Sequence, residues 1–198
     1  MADVPFVGLT GGLGAGKSTA LAALQRLGAE TISSDAIVHE LYDSEELRDA
    51  VVERFGADVA PGGRVERSAL AERAFATPAD RAWLEQLIWP RVGARVARWL
   101  EQVRAAPSPP RAAVVEVPLL FEAGLDGLYD ATIAVLADEQ LRRERAQGRG
   151  HALLDERSAR QLTQQEKARR ADFAVHNDGS VGDLERQLSG VLEKLEAR

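Results

Sequence analysis

Short runs of β-branched and apolar residues alternate along the chain with longer stretches in which apolar positions recur every three or four residues. The short runs lie at Phe6–Leu9, Thr31–Ser33, Ala113–Val117, Ala131–Leu136 and Phe173–His176, and runs of this length and composition predict buried strands. A parallel strand pair needs a long crossover connection, usually a helix that then covers a face of the sheet. Five strands separated by helical stretches therefore predict an α/β fold, a five-stranded parallel sheet covered on both faces.

The helical stretches carry their own signals. Leu21, Leu24 and Leu27 continue at helical spacing after the first strand and predict a helix over 17–27. Residues 36–111 read as helical throughout. There, Asp43 and Glu46 have capping-box spacing, and Thr77-Pro78 places an N-cap before a proline at the first helical position. Trp83, Leu87, Val92, Val96, Trp99 and Val103 follow at helical intervals, with Pro90 expected to kink or divide the run. Trp83, Trp89 and Trp99 are assigned to packing, with a substrate-facing wall as the alternative. The proline-rich Ala106–Pro110 then forms a stiff connector into the third strand. Val181, Leu184, Leu188, Val191, Leu192 and Leu195 share one face of a final amphipathic helix, to which no chemistry is assigned.

Composition narrows the class. A chain of 198 residues can build one sizeable core with room for a small insertion or lid. Its net charge of −6 argues against a nucleic-acid partner held by a phosphate-neutralising surface. The absence of cysteine excludes a disulfide framework and a thiolate zinc site, and His39, His151 and His176 are too scattered to suggest a metal cluster. With no signal-peptide pattern and no apolar run approaching the roughly 20 residues that span a bilayer, a cytoplasmic protein without a membrane partner is expected.

The chemistry begins where the first strand ends. Gly11–Ser18 reads G-G-L-G-A-G-K-S, a complete match to G-x-x-x-x-G-K-[ST]. Between a strand and a helix, such a turn converges backbone N–H groups on a phosphate. Gly11, Gly12, Gly14 and Gly16 give the chain access to positive φ and leave no Cβ between amides and phosphate oxygens, and Ala15 lies among them. Lys17 is placed to neutralise the β and γ phosphates, Ser18 to join a Mg²⁺ shell, and Thr19 to offer a further donor at the helix start. The ligand expected is a nucleoside triphosphate.

Other positions suggest which triphosphate enzyme this is. Guanine-specific switch proteins read the base with Asn-Lys-x-Asp, but Asn177 is the only asparagine and Asp178 follows it. Asp35 lies just past the second strand, on the side where open parallel sheets bind ligands. It can orient a substrate hydroxyl for attack on phosphorus, or cap the following helix. Arg142, Arg145 and Arg149 fall on one side of a helix, either to close over a transferring phosphate or as a solvated face paired with Glu144. Glu116 and Glu122, near the third strand's end, can act through a metal's water shell or serve as surface or capping acids.

Taken together, the motifs resemble the dephospho-coenzyme A kinase family. Gly8–Thr19 is similar to that family's G-L-T-G-G-I-G-S-G-K-S-T, Val117–Glu122 to its V-P-L-L-F-E, and Ala171–Gly179 to its A-D-x-V-I-D-N-x-G. The resemblance implies a three-layer phosphate-loop NTPase core over 1–35, 112–140 and 171–198, a substrate-binding helical insertion over 36–111 and a helical lid over 141–170. It implies ATP as phosphoryl donor, Mg²⁺, and dephospho-coenzyme A as the acceptor phosphorylated on its ribose 3′-hydroxyl. Asp35 matches the last acid of the family's D-A-D segment and becomes the expected catalytic base beside Lys17. Arg157 and Gln161 match the lid pattern R-x-x-x-Q, and Lys167 falls in register before Ala171-Asp172. Arg149 is assigned to reach the phosphates, with Arg145 as the alternative. Ser33, His39 and Trp89-Pro90 depart from the pattern, standing where an acid, an arginine and His-Pro are common. The rival functions are another nucleoside monophosphate or small-molecule kinase and, outside enzymes, an ATP-dependent regulatory binding module.

Overall fold

The structure, a computed structural model, describes residues 4–146 and 161–198. Five parallel strands form its sheet: β1 (Phe6–Gly11), β2 (Glu30–Ser33), β3 (Ala113–Glu116), β4 (Ala131–Leu136) and β5 (Phe173–His176), in the order β2-β3-β1-β4-β5. β1 is central, with Leu9 level with Glu116 on one side and Ile133 on the other. The strand ends agree with the apolar runs to within two residues. The largest difference is at β1, which runs on through Gly11 because that glycine still pairs with Val135.

Alternation along the strands sorts their side chains onto two faces. Val7, Leu9, Val114, Ile133 and Val135 meet Leu24 of α1 (Lys17–Arg26) and Leu184, Leu188 and Leu192 of α8 (Val181–Glu196). On the opposite face, Phe6 and Ala113 meet Trp99, Leu100 and Val103. The result is a three-layer α/β core.

Contacts divide the chain into two compact units, Met1–Ser33 with Trp99–Arg198, and Ser34–Arg98. The second contains α2 (Ser34–Tyr42), α3 (Glu45–Phe55), α4 (Arg67–Ala74) and most of α5 (Pro78–Arg104). Its own core gathers Leu47, Val51, Val59, Leu70, Leu84 and Ile88. Trp83 belongs to this core, packing edge-on to Phe55 at 5.4 Å between ring centroids. Trp89 does not follow the packing expectation, being 54% exposed.

Two local expectations are corrected. The cap of α3 is Ser44 rather than Asp43: the Ser44 hydroxyl accepts from the Leu47 amide at 3.3 Å, so Glu46 stands one position too early to close a capping box. Pro90 does not divide α5. Its missing N–H removes the helical donor to the Gln86 carbonyl, and the Arg91 guanidinium donates to the neighbouring Leu87 carbonyl at 2.7 Å. The Thr77 cap is as expected, its hydroxyl accepting from the Asp80 amide at 3.1 Å. Among the described residues, no helix is long and apolar enough to cross a membrane.

Candidate active site

The turn between β1 and α1 is built by glycines that the backbone requires. Of the four glycines expected at positive φ, Gly14 and Gly16 have φ of +74° and +89°, the left-handed region that L side chains avoid, whereas Gly11 and Gly12 do not, Gly11 being still part of β1. Space forbids a side chain as well: a Cβ on Gly14 would lie 2.4 Å from the Arg142 carbonyl oxygen, and one on Gly16 would lie 2.0 Å from the Asn177 amide nitrogen. Gly16 precedes α1 without a capping side chain, and the first turn carries no acid, so the positive end of the helix dipole is not neutralised from within. Lys17, Ser18 and Thr19 open that helix, and Ala15 is fully buried beneath the turn.

Lys17 lies back over the turn. Its ammonium donates to the carbonyls of Gly11 at 3.1 Å and Gly12 at 3.4 Å, with Glu116 Oε1 at 3.9 Å. Glu116 ends β3 in register with Ser33 of β2, whose hydroxyl donates to its other oxygen at 2.5 Å. The buried carboxylate thus sits between the phosphate-loop lysine and the end of β2. Asp35 follows two residues later, inside the first turn of α2 rather than at its N-cap, and belongs to the unit Ser34–Arg98.

Distant parts of the chain brace the turn. In α6 (Glu139–Ala146), Arg142 donates from Nε to the Leu13 carbonyl at 2.9 Å, and burial pushes its pKa down. Arg145 donates from both terminal nitrogens to the Asn177 carbonyl at 3.2 and 3.3 Å. Asn177, buried at the end of β5, donates its side-chain amide to the Ala15 carbonyl at 3.0 Å. The expected helical face of Arg142 and Arg145 is therefore turned towards the phosphate loop and its brace. Gln161 Oε1 accepts from the Leu13 amide at 3.2 Å, bringing one residue of the R-x-x-x-Q pattern to the loop. Arg149, Arg157 and His151 lie outside the described residues.

Three residues of the later motifs are structural. Asp172 Oδ2 accepts from the amide and hydroxyl of Thr132, both at 2.9 Å, and locks the start of β5 to β4. Lys167, in α7 (Gln164–Arg170), is fully buried and forms an ion pair with Glu122 at 2.9 Å. Glu122 Oε1 also accepts from the Leu162 amide at 2.8 Å. Among the described residues, no group of three or more His, Asp or Glu side chains could hold a metal by itself. The donors near the loop, the Ser18 hydroxyl and the Glu116 carboxylate, are hard oxygens of the kind that suit Mg²⁺ alongside phosphate.

A parallel sheet of this order, opening into an uncapped helix through a left-handed glycine turn with a following lysine and serine, defines a phosphate-loop NTPase of the small-kinase type. Crystallised shikimate kinases share the architecture; that of Aquifex aeolicus superposes with a TM-score of 0.51 at 14% identity, covering 97% of this chain and 98% of its own. A family model described as dephospho-CoA kinase matches residues 5–183, and the chain belongs to that family; it is a kinase, a transferase. The dephospho-CoA kinase of Anaeromyxobacter dehalogenans is 41% identical over 194 residues, 96% of this chain and 91% of its own. That of Deinococcus radiodurans is 38% identical over 195 residues, 96% and 92% of the two chains. A crystal structure from Thermus thermophilus superposes with a TM-score of 0.79 at 32% identity, covering 98% of this chain and 99% of its own.

Some site residues had no role readable from the residue pattern. Asn177 stood inside a quoted motif and Arg142 inside an arginine-rich run, but nothing local says that either meets the phosphate loop. Both signals lie in contacts more than a hundred positions apart in sequence.

Proposed function

We propose that the protein transfers the γ-phosphoryl group of ATP to the ribose 3′-hydroxyl of dephospho-coenzyme A, giving coenzyme A and ADP in the last step of coenzyme A biosynthesis. The observation that carries this reading is the left-handed glycine turn at an uncapped helix start, with Lys17 over it, in a chain of this family.

Gly12, Gly14, Ala15 and Gly16 shape a cradle of backbone amides for the β and γ phosphates, and the first turn at Lys17, Ser18 and Thr19 completes it. Lys17 leaves the loop carbonyls to neutralise the phosphates. Ser18 would hold Mg²⁺, which would supply charge neutralisation for the phosphoryl transfer. Asp35 accepts a hydrogen bond from the ribose hydroxyl, aligns it with phosphorus and takes its proton late; alignment carries much of the effect, because a carboxylate is a weak base for an alcohol. Residues 36–111 hold the acceptor. A lid within 141–170 supplies arginines, Arg149 foremost with Arg145 and Arg157, that stabilise charge during transfer, and its closure excludes water. The reaction belongs in the cytoplasm, where ATP is available.

The test is a panel of acceptors, dephospho-coenzyme A, shikimate and nucleoside monophosphates, each incubated with the protein, ATP and Mg²⁺, with the product phosphate located by phosphorus NMR. Transfer to the 3′-position of dephospho-coenzyme A is expected. Clear turnover of another acceptor, with none of dephospho-coenzyme A, overturns the assignment.

A further inference from the structure

Lys167 is among the largest side chains with no exposure at all. Burying an ammonium is costly, and an apolar residue of similar volume would fill the same space without that cost. Its three protons are all used: Nζ donates to Thr10 Oγ1 at 3.2 Å, to the Pro118 carbonyl at 2.7 Å and to Glu122 Oε1 at 2.9 Å.

Those acceptors map onto the underside of the phosphate loop. Thr10 is the strand residue immediately before Gly11, and its hydroxyl donates onward to the same Pro118 carbonyl at 3.2 Å. Pro118 follows β3, whose last residue, Glu116, lies 3.9 Å from Lys17. Glu122 Oε1 also takes the Leu162 amide at 2.8 Å, and the neighbouring Gln161 takes the Leu13 amide of the loop at 3.2 Å. One ammonium therefore joins three segments that bear on the turn, residues 10–13, 116–122 and 161–167. The second oxygen of Glu122 is buried without a hydrogen-bond partner among the described residues, which leaves its charge dependent on Lys167.

We propose that Lys167 is a positioning residue for the triphosphate site: its buried ammonium fixes the floor of the phosphate loop and thereby sets nucleotide affinity without touching the nucleotide. The proposal rests on the reading that this loop binds ATP. Burial pushes the pKa of Lys167 down, Glu122 pulls it back up, and Lys17 pushes it down again, so the cation behind the loop and the cation over it sense one another.

The experiment measures ATP affinity by calorimetry, the KM values for ATP and acceptor, and the melting temperature, for the full chain and three variants. Lys167→Met alone strands the Glu122 charge and is expected to melt early. Lys167→Met with Glu122→Gln removes both charges; it is expected to regain most of the melting temperature yet bind ATP about ten-fold more weakly, the scale of a lost charged hydrogen bond. Its acceptor KM stays unchanged. Thr10→Val keeps the volume and the ion pair and is expected to weaken ATP binding by a smaller factor. Folded double variant or folded Thr10→Val with unaltered ATP affinity overturns the role of Lys167, as does an equal rise in both KM values. An unmodified chain that binds no ATP instead overturns the reading of the loop itself.

Discussion

Gly16 is a glycine for two independent reasons, a left-handed φ of +89° and an Asn177 amide nitrogen only 2.0 Å from where a Cβ would stand. Either alone disfavours a side chain. Gly16→Ala is expected to cost about 1–3 kcal/mol of stability, the range for backbone forced into a sparse region, and to abolish ATP binding by displacing the Asn177 brace. Denaturant titration and calorimetry check the two effects, and an alanine variant with native affinity contradicts them. Asp35→Asn keeps shape but removes the carboxylate, and its turnover is expected to fall on the order of 10²–10⁴-fold with ATP affinity retained. Full turnover in that variant would remove Asp35 from the mechanism. The place of Lys17 and Ser18 at the start of α1 was legible because a fixed local spacing encodes it. Lys167 and Glu122 were not, because their meaning lies in a pairing across 45 positions that no local pattern announces, and a lysine in an otherwise polar helix looks like a solvated one.

At the scale of elements, strands stood out as short apolar runs because the sheet is covered on both faces, and helices by periodicity because only one side of each meets a core. Caps and breaks were harder. At the start of α3, Asp43 and Ser44 are both good N-cap residues, and only the backbone geometry decides that Ser44 is extended and receives the Leu47 amide. The choice has a measurable outcome. Ser44→Ala is expected to cost about 1 kcal/mol in urea denaturation, while Asp43→Ala costs clearly less; the reverse order would place the cap at Asp43. Pro90 was read as a kink or division from its missing N–H, but α5 runs from Pro78 to Arg104 through it, because one lost bond does not end a helix of 27 residues.

The order of strands in the sheet escaped the residue pattern altogether. Apolar runs say that a segment is buried, whereas neighbour relations follow from how crossovers pack, and the five runs carry no label for position. The folded molecule also responds to acid through carboxyls spread over both units. Hydrogen bonds from Ser68, Thr77, Thr163 and Ser180 hold Glu66, Asp80, Glu166 and Asp183 below the usual carboxylate range, and the Arg111 guanidinium does the same for Glu196. A depressed folded pKa means that the unfolded chain binds protons first as pH falls. Stability from these groups is therefore complete above the ordinary values of 4.5 for Glu and 3.8 for Asp, and is lost as pH drops through the lowered ones. The urea midpoint is expected to fall through that window and Asp183→Asn to flatten the decline; a midpoint that rises on acidification contradicts it.

The bond from Asn177 to the Ala15 carbonyl spans 162 positions in sequence. During synthesis the glycine turn is among the earlier parts of this sequence to leave the ribosome, yet it lacks its brace until β5 has emerged and joined β4. A product stalled before Asn177 carries an intact motif without this brace, and is expected to bind nucleotide more weakly than the full chain.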